Sequence, residues 1–307
     1  MLYDLIIIGA GPAGVSAALY AKSRGLNLLL IEKEKVGGII GSVSTITHYA
    51  SVFKNQSGED FAIKMATQLK DNDINIIYED VLSTKLNKKE KEIITNNSCY
   101  LSKAVIIANG STARKLNVIG GDMHFGKSFG INPYRNRETS KGKNVFVIGG
   151  AGGAAKEAIY LSEFAEMVTI VCIENELISI SEFKEKIKNI DNIKVKPHTK
   201  LVELKGKDFI TSLIFEDLLT GQKEELANER ALVFVNIGLT PNTDIYSEIE
   251  KEKGYIVVNN DQETNIEGVF AAGDICVKKV RQVATAVSDG AIAAIQANSY
   301  ISTIMIE

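Results

Sequence analysis

Three cysteines and three histidines are all that 307 residues supply. Cys99, Cys172 and Cys276 are odd in number, scattered, and never spaced Cys-x-x-Cys, which excludes a disulfide framework and a zinc site. The histidines are equally scattered, so no metal centre is expected. Long apolar runs are missing too. None approaches the roughly 18 residues of a membrane helix. Neither charge sign dominates: 35 Lys and Arg against 38 Asp and Glu leave a net −3, which indicates no nucleic-acid surface. Asp4 interrupts the opening residues and no small-residue cleavage site follows, so they read as a strand and not as a signal peptide. The expected setting is the cytoplasm, with neither nucleic acid nor membrane as partner.

What is present suits two folded domains. Apolar residues make up 45% of the chain, ample for buried cores. The run 5–8 reads as a strand buried on both faces. A turn, Gly9-Ala10-Gly11-Pro12-Ala13-Gly14, leads into a helix over 13–24 and a second strand over 27–31, a β-α-β unit. Gly9 permits the tight turn, Gly11 lets backbone approach a pyrophosphate, and Gly14 allows close helix–strand packing. Glu32 ends the second strand, where a carboxylate can accept ribose hydroxyls. Gly37-Gly38 follows closely, a pair that would let backbone pass a flat ring.

A helix is expected over 59–72. An alternating stretch over 74–95 turns at Asn87-Lys88-Lys89-Glu90, and a strand over 104–108 ends in Ala108-Asn109-Gly110. A second β-α-β unit then opens with Lys143–Ile148, turns through Gly149-Gly150-Ala151-Gly152-Gly153-Ala154-Ala155, and continues as a helix over 154–166 and a strand over Val168–Ile173. Further elements are expected at 181–189, 193–196, 201–205, 209–216 and 231–237. Residues 238–243 read as a hinge and 283–301 as a closing helix. Two registers fit the second turn: Gly149-x-Ala151, or Gly150-x-Gly152-x-x-Ala155. The fold class is α/β, with two doubly wound, Rossmann-like nucleotide-binding domains, the second inserted into the first. The boundaries are 1–112, 113–239 and 240–307.

These motifs, with Ala271-Ala272-Gly273-Asp274 and Arg281-Gln282 near the far end, resemble the low-molecular-weight thioredoxin reductase family over nearly the whole chain. The resemblance implies FAD in the first domain, a pyridine-nucleotide fold in the second, and a homodimer. It carries cofactor contacts onto Gly9, Gly11, Pro12, Ala13, Gly14, Glu32, Lys33, Gly38, Ile39, His48, Val81, Ala108, Gly110, Gly273, Asp274, Arg281, Gln282 and Val283. For the nicotinamide nucleotide it points to Gly149, Gly150, Gly152, Ala154 and Glu174.

The chain departs from that family in three places. Where the family has its redox Cys-x-x-Cys, residues 126–136 read Gly-Lys-Ser-Phe-Gly-Ile-Asn-Pro-Tyr-Arg-Asn, and no cysteine occurs from 100 to 171. Exchange needs one thiolate to attack and another to resolve, so reduction of thioredoxin by the family's route is not expected. Cys-Ile-Glu at 172–174 stands where the family has a basic cluster for the 2′-phosphate of NADPH. Glu174 would repel that phosphate and accept a free ribose hydroxyl. NADPH is disfavoured and NADH stays open. Near the ring, the family's Gly-Gly-Gln is Gly37-Gly38-Ile39, and His48 becomes a candidate proton donor.

The leading expectation is an FAD oxidoreductase that passes electrons directly at the flavin, from ferredoxin, flavodoxin or NADH, to an unidentified acceptor. Two alternatives remain: a non-catalytic FAD-binding sensor or structural flavoprotein, and a single-cysteine disulfide reductase using Cys276. The basic hairpin Lys85–Lys91 could dock an acidic ferredoxin, though a solvated hairpin is the better reading. Asp289 reads as packing and capping.

Overall fold

The computed structural model describes residues 1–304. It divides into two compact units, Met1–Thr112 with Thr240–Glu307, and Ala113–Leu239. In chain order the first unit opens with β1 (Leu2–Ile8), α1 (Pro12–Lys22), β2 (Leu28–Glu32), α2 (Gly58–Asp71), β3 (Ile76–Tyr78), β4 (Val81–Lys85), β5 (Lys91–Thr95), β6 (Cys99–Ile107) and β7 (Ser111–Ala113). The second unit holds α3 (Gly121–His124), β8 (Asn144–Ile148), α4 (Gly152–Ser162), β9 (Met167–Val171), α5 (Ser181–Lys188), β10 (Ile193–Lys196), β11 (Thr199–Lys205), β12 (Ser212–Asp217), β13 (Lys223–Ala227) and β14 (Leu232–Val235). The chain returns through β15 (Leu239–Pro241), β16 (Lys251–Glu252), β17 (Tyr255–Ile256), β18 (Val269–Ala271) and α6 (Val283–Ile304).

In the first unit β3, β2, β1 and β6 lie side by side in parallel. β6 then shares one edge between two partners. Its first half pairs antiparallel with β5, and its last three residues pair parallel with β18. Because β1 is covered on both sides, its residues 5–8 are all apolar and buried. One face packs Leu5, Ile7, Leu30 and Ile106 against α1, α2 and α6. The other packs Ile6, Ile8, Val105 and Ile107 against Leu86, Ile93, Tyr246 and Ile256.

The second unit has a parallel sheet, β10-β9-β8-β14, and an antiparallel one, β11-β12-β13. The helix expected over 154–166 spans Gly152–Ser162 instead, and a turn follows it. β13 was not expected. Lys223-Glu224-Glu225-Leu226-Ala227 is exposed throughout and carries no apolar alternation; only pairing with β12 makes it a strand. Among the described residues no helix is long and apolar enough to cross a membrane, and no cluster of ligating side chains could hold a metal ion.

Candidate functional site: two glycine turns at the carboxyl ends of parallel strands

The turn after β1 is built from the backbone outward. Gly9 has φ +99°, and its amide donates to the Ile31 carbonyl at 2.7 Å. A Cβ there would lie 2.5 Å from the Ala108 carbonyl oxygen, and one at Gly14 1.8 Å from the Gly9 oxygen. The protein itself therefore requires both glycines. Gly11 differs: its conformation is extended, and a Cβ would meet nothing within 4 Å. The open space beside Gly11 leaves room for a group from outside the chain. Gly11 also caps α1 without a side chain, so the first-turn N–H groups have no side-chain cap and offer an anion the helix's positive end. Glu32 is fixed beside the turn. Its Oε2 accepts the Ala10 amide at 2.7 Å and its Oε1 the Glu34 amide at 3.0 Å, which leaves lone pairs for ribose hydroxyls.

Gly273-Asp274 follows β18 and abuts this turn. Gly273 has φ +85°, and a Cβ there would lie 2.9 Å from that of Ala13. Asp274 Oδ1 is buried without a hydrogen-bond partner, and burial pushes its carboxyl above the usual range. An orphaned acceptor beside a pyrophosphate turn fits the ribityl chain of FAD, whose hydroxyls donate.

Other expected contacts fare differently. Three of the five Arg281 donors go to its own loop. Nη1 donates to the Lys278 carbonyl at 3.0 Å, Nη2 to that of Cys276 at 3.2 Å and Nε to that of Asp274 at 3.4 Å. Its guanidinium also stacks 4.0 Å from the Tyr255 ring centre. Arg281 braces the loop with three of its five N–H groups. Lys33 is exposed and paired with Asp80 at 2.8 Å. Ile39 is exposed in the short 3-10 turn Gly38–Ser42, and His48 lies on an exposed loop at φ +58°. Val81 is half-buried at the start of β4; Gln282 and Val283 lead into α6. Cys276 is buried, which pushes its thiol up to about 12. A group so shielded is a neutral thiol at physiological pH and not a nucleophile. The structure thus weighs against Cys276 as a redox residue.

In the second turn the backbone decides the register. Gly149 has φ +136°, donates its amide to the Val171 carbonyl at 2.8 Å, and would place a Cβ 2.1 Å from the Asn236 oxygen. It occupies the role Gly9 has in the first unit. Ala151 is then the N-cap of α4 and Ala154 the residue packed on the turn, as Gly11 and Gly14 are for α1. The middle position thus carries a methyl group. Glu174 reaches over this turn, its Oε2 lying 2.4 Å from an ideal Cβ on Gly150. That oxygen and Ser179 Oγ are both buried with no hydrogen-bond partner.

Residues 3–290 match the pyridine nucleotide-disulphide oxidoreductase family. The chain belongs to that family. It is 36% identical to a thioredoxin reductase of Ureaplasma parvum over 304 residues, 98% of this chain and 97% of the relative. The crystal structure of Lactococcus lactis thioredoxin reductase superposes with a TM-score of 0.92 at 30% identity, covering 98% of this chain and 99% of that one. A ferredoxin-flavin thioredoxin reductase from Clostridium acetobutylicum gives 0.56 at 27% identity, with 100% of both chains covered. The protein is a thioredoxin reductase-like, FAD-dependent oxidoreductase.

Proposed function

We propose that this oxidoreductase passes electrons directly through its flavin, with no dithiol relay. One observation carries the proposal: residues 126–136 contain no cysteine, and their structure serves a different end. The Gly130 amide donates to the Val233 carbonyl at 2.9 Å, Pro133 is buried, and Asn132 Oδ1 accepts the Arg135 amide at 2.9 Å. They form a turn capped by Asn132. None of the three cysteines offers a substitute. Cys172 and Cys276 are buried and both thiols are pushed up by burial. Cys99 is exposed, but it begins β6 whereas the glycine turns lie at carboxyl ends of strands. Nine residues of strand put it about 25–30 Å from Ala108.

FAD, when bound, supplies the electron chemistry. The chain supplies orientation: the α1 N-terminus for the pyrophosphate, Glu32 for the ribose and Asp274 for the ribityl chain. NADH is the donor favoured by the second turn, because the buried, unpartnered Oε2 of Glu174 suits a ribose hydroxyl and its carboxylate opposes a 2′-phosphate. Ferredoxin or flavodoxin is the alternative. The β4–β5 hairpin gives it little support, since Lys85 and Lys88 both pair with Glu92 and Lys91 is buried. We take the working form to be a cytoplasmic homodimer.

A second reading, an FAD-binding sensor or structural flavoprotein, is favoured by one contrast. The FAD turn keeps its middle glycine, Gly11, whereas the second turn has Ala151 there. The test is anaerobic bleaching of the flavin's visible band with NADH, NADPH and reduced ferredoxin offered separately. Fast bleaching by NADH with an unchanged thiol count supports the proposal, and bleaching by ferredoxin alone transfers the donor role. No bleaching by any of the three puts the sensor reading first.

A further inference from the structure

We propose that Asp289 is a positioning residue for FAD, with Lys278 as its counter-ion. Asp289 lies on α6, one residue before Gly290. At Gly290 the helix comes so close to α1 that a Cβ would sit 2.1 Å from the Ala13 carbonyl oxygen. Asp289 thus stands where α6 crosses the first turn of the helix that faces the pyrophosphate. Its Oδ2 accepts the Gly273 amide at 3.0 Å and also takes the Lys278 ammonium. Both side chains are largely buried, 14% exposed for Lys278 and 13% for Asp289.

The geometry gives this contact a purpose beyond packing. Gly273 is the residue whose positive φ aims the chain into Asp274. A peptide plane held by a charge-assisted bond cannot rotate freely, and rotation here would re-aim Asp274, the residue that follows. Ser111 Oγ and Arg281 Nε hold the Asp274 carbonyl, at 3.4 Å each. Asp289 fixes the other end of the same two-residue turn. Lys278 cancels a carboxylate that would otherwise add to the charge of Asp274 beside an anionic cofactor. Sequence alone makes Asp289 look like a helix cap; the structure spends its carboxylate on the flavin turn.

Deflavinated protein would be reconstituted with FAD, reading the dissociation constant from flavin fluorescence, the visible circular dichroism of the bound flavin, and the melting temperature of the apoprotein. Asp289→Ala removes the acceptor and is expected to weaken FAD about tenfold to a hundredfold and to alter the flavin's dichroism. Asp289→Asn combined with Lys278→Met keeps an acceptor for the Gly273 amide, leaves no buried ammonium unpaired, and is expected to recover most of both. If Asp289→Ala does not fold, Asp289→Ser, too short to reach the amide, replaces it. Wild-type FAD affinity and dichroism in the shortened variant, whatever its melting temperature, would overturn the proposal, leaving only a packing role. So would an Asp289→Asn, Lys278→Met protein as impaired as Asp289→Ala. Neither readout involves an electron donor, so this inference stands or falls apart from the donor assignment.

Discussion

Asn109 and Asn242 clasp each other through their side-chain amides. Asn242 Nδ2 donates to the Asn109 carbonyl at 2.7 Å, and Asn109 Nδ2 donates to the Asn242 carbonyl at 3.2 Å. The Asn242 amide adds a bond to the Gly110 carbonyl at 3.0 Å, and Thr112 Oγ1 donates to Asn242 Oδ1 at 2.7 Å. The segment where the chain leaves the first unit is thereby tied to the segment where it returns. Asn242→Ala should cost about 1–2 kcal/mol in thermal unfolding, from the loss of two side-chain hydrogen bonds. Combined with Asn109→Ala, the loss should be less than additive, because each side-chain bond holds in place the main-chain carbonyl segment from which the other residue donates. Full additivity in the double-mutant cycle would refute it.

The three cysteines should separate cleanly in a thiol titration. Cys99 is exposed and should react with an aromatic disulfide reagent in the native protein. Cys172 and Cys276 should react only after unfolding, since burial keeps both as neutral thiols. Cys276→Ser should leave flavin reduction unchanged while lowering stability by about 1–2 kcal/mol, the cost of burying a hydroxyl in an apolar pocket. Loss of electron transfer in that variant would restore Cys276 as a redox residue.

Asp274 should make the apoprotein's stability depend on pH. Burial holds its carboxyl above the ordinary 3.8. Between that value and the raised one, the folded chain keeps a proton that the unfolded chain has released. Its contribution to stability is therefore complete below the ordinary value and is lost as pH rises through the raised one. Melting curves of the wild type and Asp274→Asn, compared across the acid range, should differ by this slope. FAD hydroxyls donating to the carboxylate would lower its pKa, so binding in this window should release a proton. Calorimetry in buffers of different ionisation enthalpy would detect it; no release would place the ribityl chain elsewhere.

Glycine substitutions should sort into two classes. Gly14→Ala and Gly290→Ala drive a methyl into backbone oxygens 1.8 and 2.1 Å away, and should destabilise the apoprotein by about 2 kcal/mol or more. Gly11→Ala meets no protein atom and should melt like the wild type, yet bind FAD more weakly. A Gly11→Ala protein with unchanged FAD affinity would mean that the pyrophosphate does not approach there.

The first turn was legible in the sequence because its fingerprint encodes backbone geometry. Gly9, Gly14 and Glu32 each answer a local steric or hydrogen-bonding demand that the residue type announces. The second turn was not, because consecutive glycines satisfy two registers equally well. Only closure of the backbone onto Val171 and Asn236 selects Gly149. Arg281 shows a related limit: its residue type reveals how many donors it has, not that three of them brace carbonyls of its own loop. β13 escaped because a polar edge strand has no pattern of its own and takes its conformation from its neighbour.

The divided edge of β6 carries a consequence for the order in which the protein can form. β5 is synthesised before β6, but β18 and α6 come from the last forty residues of the chain. Until they leave the ribosome, the carboxyl end of β6 keeps a bare edge and α1 lacks the helix that Gly290 lets approach it. The second unit is one uninterrupted stretch and can complete its own sheets while the first unit waits. A chain truncated before β18 should therefore yield a folded middle and an open, sticky first half, with its flavin turn formed but never closed.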